Sequence, residues 1–421
     1  MDSPDLDDLK RELGRQLEHW RLAARRLEDF DSVASVPAWQ GLEHYLGVSL
    51  REMLGQTTSR MRRKGTELAA RLAGARTPLD LAPVRDGVLD FRGRYLRAET
   101  TVEFYANALA SRTAPRLGAL LRACDHIATR SMAEALSPMG RQVPAALTYL
   151  DAGLGASILK AGLRLWDGSA EAPVATIKVV RHNLLRPTSV IHEAGHQVAH
   201  MLGWVRELAG RLGEGLGASS GGIGDVWSRW ASEIAADAFA FAHTGYAAVA
   251  ALHDVVDGSP AKVLAYMPHD PHPTSYVRVL LGTAMARASF GSGPWDELDA
   301  AWRAQHPLAG AAEDSRELLQ QCAELVPRAA DVILRGSYRA FGGRPLVALI
   351  NPQRVSPAAL SEVERGVGAA AFRSPYWIWN ESIRLLALTG YRATQGASQL
   401  REAMLQQERW MLKLGGLRAA A

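Results

Sequence analysis

Thr188-Ser-Val-Ile-His192-Glu193-Ala194-Gly195-His196-Gln-Val-Ala-His200 is the passage from which the rest of this 421-residue chain can be read. Pro187 and the hydroxyls of Thr188 and Ser189 offer a capped helix start, and no breaker follows until Gly203. Residues four apart on an α-helix differ by about 40° around the axis and about 6 Å along it, so His192 and His196 project from one face and can grip one cation. Glu193, beside the first imidazole, can reach a water on that cation. Two imidazoles and a carboxylate suit zinc, which lowers the pKa of bound water towards about 7 and gives Glu193 an acid to deprotonate. The pattern points to hydrolysis. Two solvated histidines on a helix surface satisfy the same five residues, so the surroundings decide.

Those surroundings supply Glu233-Ile-Ala-Ala-Asp237, two carboxylates one turn apart in a segment made apolar by Ala235, Ala236, Ala238, Phe239, Ala240 and Phe241. Carboxylates buried in such a helix need partners. Glu233 can complete a His/His/Glu site, and Asp237 can hydrogen-bond the far nitrogen of a ligand histidine. His200 competes as third ligand, although it has turned about 80° from His192 and lies on a face also fit for packing. Glu233 is the preferred ligand. The longer pattern HExxHxxGxxH is absent, since Leu202 occupies its last position. Further on, a Pro-rich loop holds His269, Asp270 and His272-Pro273, and Arg278 follows after four more residues. An imidazole there can stabilise the oxyanion formed when water attacks a carbonyl, and an arginine can orient an acidic neighbour.

HExxH, a later ExxAD and then HP with a following Arg resemble, in that order, the gluzincin peptidases typified by the CAAX-prenyl endopeptidases and the heat-shock membrane peptidases. The resemblance covers about 90 residues of the chain. It implies zinc on His192, His196 and Glu233, Glu193 as general base, Asp237 behind a ligand, and His272 and Arg278 supporting the transition state. A weaker resemblance is to the ImmA/IrrE metallopeptidases, through His192 to His200 and through Glu233 to Ala240. Both imply zinc-dependent hydrolysis of a protein or peptide, and differ in substrate. The implied fold class is α+β and mostly helical: a zincin-like core with a small sheet and the active-site helix at 145–305, between helical regions at 1–144 and 306–421.

Periodicity supports that outline. Leu6, Leu9, Leu13, Leu17, Trp20, Ala24 and Leu27 step by three and four, as do Leu117 to Met132 behind Pro115. The β-prone runs at 163–166 and 174–180, around Asp167-Gly-Ser-Ala-Glu-Ala-Pro, predict a hairpin whose second strand offers an edge to a substrate backbone. Seven glycines among residues 210–225 predict a mobile loop, either a lid near the metal or a plain connector. Gly217-Ala-Ser219-Ser-Gly221 formally matches the serine-hydrolase G-x-S-x-G elbow but lacks the preceding strand that motif needs.

Composition narrows the class further. With 48% hydrophobic and 22% charged residues the chain reads as a globular protein. Only six of its 48 basic residues are lysine, the bias of a GC-rich, bacterial gene. A net charge of +4, with acids and bases interspersed, implies no nucleic acid. Cys124 and Cys322 read as buried thiols. The acidic start lacks the order of a signal peptide and no apolar run is long enough to span a membrane, so a cytoplasmic address is expected and a membrane or prenylated substrate is not. The alternative to an enzyme is a regulatory protein in which zinc pins two helices and the helical flanks bind a partner. The intact Glu193 argues against it, because a purely structural site needs no base.

Overall fold

The computed structural model describes residues 5–151, 157–159, 164–165, 170–171, 173–184, 186–217 and 222–417. The expected class holds: the fold is α+β and mostly helical, with small sheets. Two compact units divide it, Met1–Thr113 with Leu159–Thr176, and Ala114–Ile158 with Ile177–Ala421. Helix Pro115–Leu136 and the helices after residue 306 thus share a unit with the HExxH helix.

In the first unit, helices Leu6–Arg26, Leu50–Gly74 and Pro78–Ser111 bury Leu13, Leu17, Met61, Leu68, Val84, Val88 and Phe91 against one another. The third helix starts with a reciprocal cap: Thr77 Oγ1 accepts from the Asp80 N–H at 3.3 Å, and Asp80 accepts from the Thr77 N–H at 2.8 Å.

In the second unit, strand Ala145–Leu150 is fastened to helix Pro115–Leu136, where buried Asp125 accepts from the Thr148 N–H at 2.6 Å and its hydroxyl at 2.8 Å. Val174–Val179, which belongs to this unit from Ile177 onward, is the central strand of a three-stranded sheet ordered Ala145–Leu150, Val174–Val179, Ser157–Leu159. Asp151 N–H donates to the Val179 carbonyl at 3.1 Å, so Ala145–Leu150 and Val174–Val179 end side by side and run in one direction.

Four sequence expectations are corrected. The hairpin does not form as expected: Arg164 pairs with Glu171 and Leu165 with Ala170, while Leu163 and Trp166 lie outside the described residues. Val174, Ala175, Ile177 and Val179 are fully buried and the strand is paired on both sides, so it is no free edge for a substrate backbone. Most of the glycine-rich stretch is helical, in Trp204–Gly217 and Ile223–Arg229, and Ser219 of the G-x-S-x-G match lies outside the described residues.

Contact explains the glycines better than flexibility does. A Cβ on Gly224 would stand 2.5 Å from the Gly213 carbonyl and 2.9 Å from Gly217 Cα, and one on Gly213 would meet Ser228 Oγ at 2.6 Å. These residues let two helices touch backbone to backbone, a gain that offsets their poor helix propensity. The expected hydroxyl cap before the HExxH helix is also missing, because Pro187 itself holds the N-cap position. Among the described residues no helix is long and apolar enough to cross a membrane. Gly224→Ala is expected to cost about 1–3 kcal/mol of stability, as overpacking does. A lower Tm and denaturant midpoint would show it; unchanged values would mean the helices part freely.

Candidate metal centre

Helix Thr188–Leu202, carrying HExxH, and helix Ala231–Thr244, carrying the two carboxylates, pack against each other at Gly195. A Cβ there would lie 2.9 Å from Phe239 Cβ and 3.0 Å from Ala236 Cα, so only a glycine permits this separation. Gly203, at φ +69°, then ends the first helix in the left-handed conformation that favours glycine. The crossing brings His192 and His196 to Glu233: His192 Nε2 lies 3.5 Å from Glu233 Oε2, and His196 Nε2 lies 3.2 Å from Oε1. One donor atom from each of the three residues lies within 4.8 Å of the other two. The donor types and their convergence are those of a metal site. His200, the rival ligand, is exposed and stands outside this group.

Behind the ligands runs a line of charge-assisted hydrogen bonds. His192 Nδ1–H donates to Asp237 Oδ1 at 2.8 Å, which leaves the Nε2 lone pair for a cation. Arg278, on helix Ser275–Phe290, grips the same carboxylate through Nε at 2.5 Å and Nη2 at 2.8 Å. Its Nη2 is also 3.5 Å from Glu233. His196 Nδ1 lies 3.4 Å from the hydroxyl of Ser232.

The loop before Arg278 contributes His272, whose Nδ1–H donates to Asp270 at 2.6 Å and whose Nε2 faces Glu233 Oε2 at 3.6 Å. Its side chain is 52% exposed, against 11–14% for the three ligand candidates. Of the residues singled out from the sequence, His192, His196, Glu233, Asp237, His272 and Arg278 are in contact here, Glu193 is buried within electrostatic reach of them, and His200 stands apart. Ser232 and Asp270 were not given roles by that reading. The one available signal was position, a serine directly before Glu233 and an aspartate two residues before His272.

Burial and charge pull against each other throughout the cluster. Burial drives the Glu193 carboxyl upwards, only partly countered by His192 and His196. Burial also opposes the charge on Glu233, but hydrogen bonds from His192 and His196 win and hold it below the usual carboxylate range. For Asp237 burial is outweighed by Arg278 and His192, leaving it at about 2. Burial lowers the His192 imidazole, yet hydrogen bonds to Asp237 and Glu233 overcome this and lift it to about 9.

The chain matches no protein-family model, no curated protein and no solved structure.

The His192 value sets a pH dependence. Below about 9 the metal-free imidazole carries a proton that an incoming cation must displace; above it, that competition disappears. Apparent metal affinity is expected to rise by about tenfold per pH unit for this one proton between pH 6 and 8 and to level off as pH nears the His192 value. Competition with a chromophoric chelator across that range measures it, and a flat profile would contradict the protonation described.

Proposed function

We propose that this chain is a zinc-dependent metallopeptidase that cleaves peptide bonds with Glu193 as general base. The observation that carries this reading is the convergence of His192, His196 and Glu233, with the buried Glu193 carboxyl within electrostatic reach of all three. The donor set fits zinc: two imidazole nitrogens and a carboxylate, with Asp237 fixing one tautomer, leave a position for water as catalytic zinc sites do. Bound zinc would supply the Lewis acidity that activates water and polarises a carbonyl. The motif order, which resembles that of the gluzincin peptidases, supports the same reading.

The protein's own groups divide the remaining work. Glu193 accepts a proton from the attacking water and passes it to the leaving amine. His272, with Nδ1–H held by Asp270, donates to the oxyanion of the tetrahedral intermediate through Nε2–H when the ring is doubly protonated. Arg278 holds Asp237 and neutralises the excess of buried carboxylate.

Glu193→Gln should abolish hydrolysis of a peptide library and keep the metal, because an amide preserves size but cannot take a proton. In the same metal assay Glu233→Ala should lose most zinc, whereas His200→Ala should keep it. Cleavage that persists in Glu193→Gln would end the proposed mechanism, and the reverse metal pattern would end the ligand assignment. His272→Ala should retain zinc and fold while kcat drops by about 10² to 10³, the effect of losing an oxyanion donor. Full activity in that variant would reduce the loop to a turn.

A further inference from the structure

The two histidines differ in what stands behind them. His192 is backed by the Asp237 carboxylate, itself clamped by Arg278, whereas the hydrogen-bond partner of His196 Nδ1 is the neutral hydroxyl of Ser232 at 3.4 Å. Ser232 directly precedes Glu233 in helix Ala231–Thr244, so a single helix presents Ser232 to one imidazole, Glu233 between both, and Asp237 to the other. His196 is 9% exposed and its Nε2 faces Glu233 Oε1 at 3.2 Å, leaving Nδ1 the ring atom turned towards Ser232. An imidazole binds metal through one nitrogen only when the other carries the proton, and the acceptor of that proton fixes both tautomer and ring orientation.

We propose that Ser232 is a positioning residue that accepts the Nδ1–H of His196 and aims its Nε2 lone pair at the metal. This rests on the metallopeptidase reading above for the identity of the metal, and assigns a further residue to the same centre. A neutral acceptor on one imidazole and a carboxylate on the other make the two ligands unequal donors. The centre keeps more positive character than it would with a second carboxylate behind His196, which favours attack on a carbonyl over tight metal storage.

The test uses the full chain, with zinc and cobalt as probes. Ser232→Ala should bind zinc about tenfold more weakly than the parent, as removal of a hydrogen-bond partner behind a ligand does. Its cobalt-loaded form should show a shifted visible absorption spectrum, and circular dichroism and Tm should match the parent. Ser232→Thr, which keeps the hydroxyl, should restore zinc affinity and the cobalt spectrum. Equal zinc affinity in Ser232→Ala and parent would overturn the role. So would failure of Ser232→Thr to rescue while it stays folded, since the effect would then arise from packing. A parent chain that takes up no zinc overturns the metallopeptidase reading together with this inference, whereas a normal parent with an indifferent Ser232→Ala overturns this inference alone.

Discussion

The contact of Gly195 with Ala236 and Phe239 sets the distance between the two helices on which the centre is built. HExxH places both imidazoles on one helix face, but the third donor comes from a second helix, and the gap between helices decides whether it reaches them. A single methyl group at residue 195 would stand 3.0 Å from the Ala236 backbone, closer than nearly all real Cβ contacts. Ala236 serves the same purpose from the other side. Small residues here are a geometric requirement of the metal donors, more than a matter of helix propensity.

Electrostatics depend on that approach in turn. Glu193, Glu233 and Asp237 bring three carboxylates into a buried volume, an arrangement that is costly unless cations are built in with it. Arg278 answers part of that charge, and the raised His192 imidazole answers more in the metal-free chain. The proton on His192 and an incoming cation compete for one place, which links metal uptake to pH through the same groups that hold the helices together.

The centre was more legible in the sequence than the fold around it. Histidines at four-residue spacing and carboxylates in an alanine-rich segment carry a local signal, because helical periodicity converts spacing directly into direction. His272 and Arg278 carried no such signal; their place in the site followed from motif order, and only the tertiary structure brings Arg278 onto Asp237. Strand pairing was misread because partner choice is non-local: nothing within 163–180 says that Val174–Val179 will lie beside Ala145–Leu150. The glycines at 210–217 and 224 were read as breakers because composition records propensity and is silent about contact; two helices meeting at Gly213, Gly217 and Gly224 reverse the inference. Ser232 escaped for a related reason, since a lone hydroxyl acquires meaning only from the ring it faces.

The line from Arg278 through Asp237 to His192 also makes the centre adjustable from a distance. Arg278 reaches the imidazole through a carboxylate that serves two donors at once, so the two compete for its electron density. A firmer guanidinium grip leaves Asp237 a poorer acceptor and His192 a poorer electron donor; a looser grip does the opposite. Drift at this outer position, or in the helix that carries it, would therefore retune a metal ion held at this centre while every ligand stayed the same, a fine control separate from the coarse one of ligand identity.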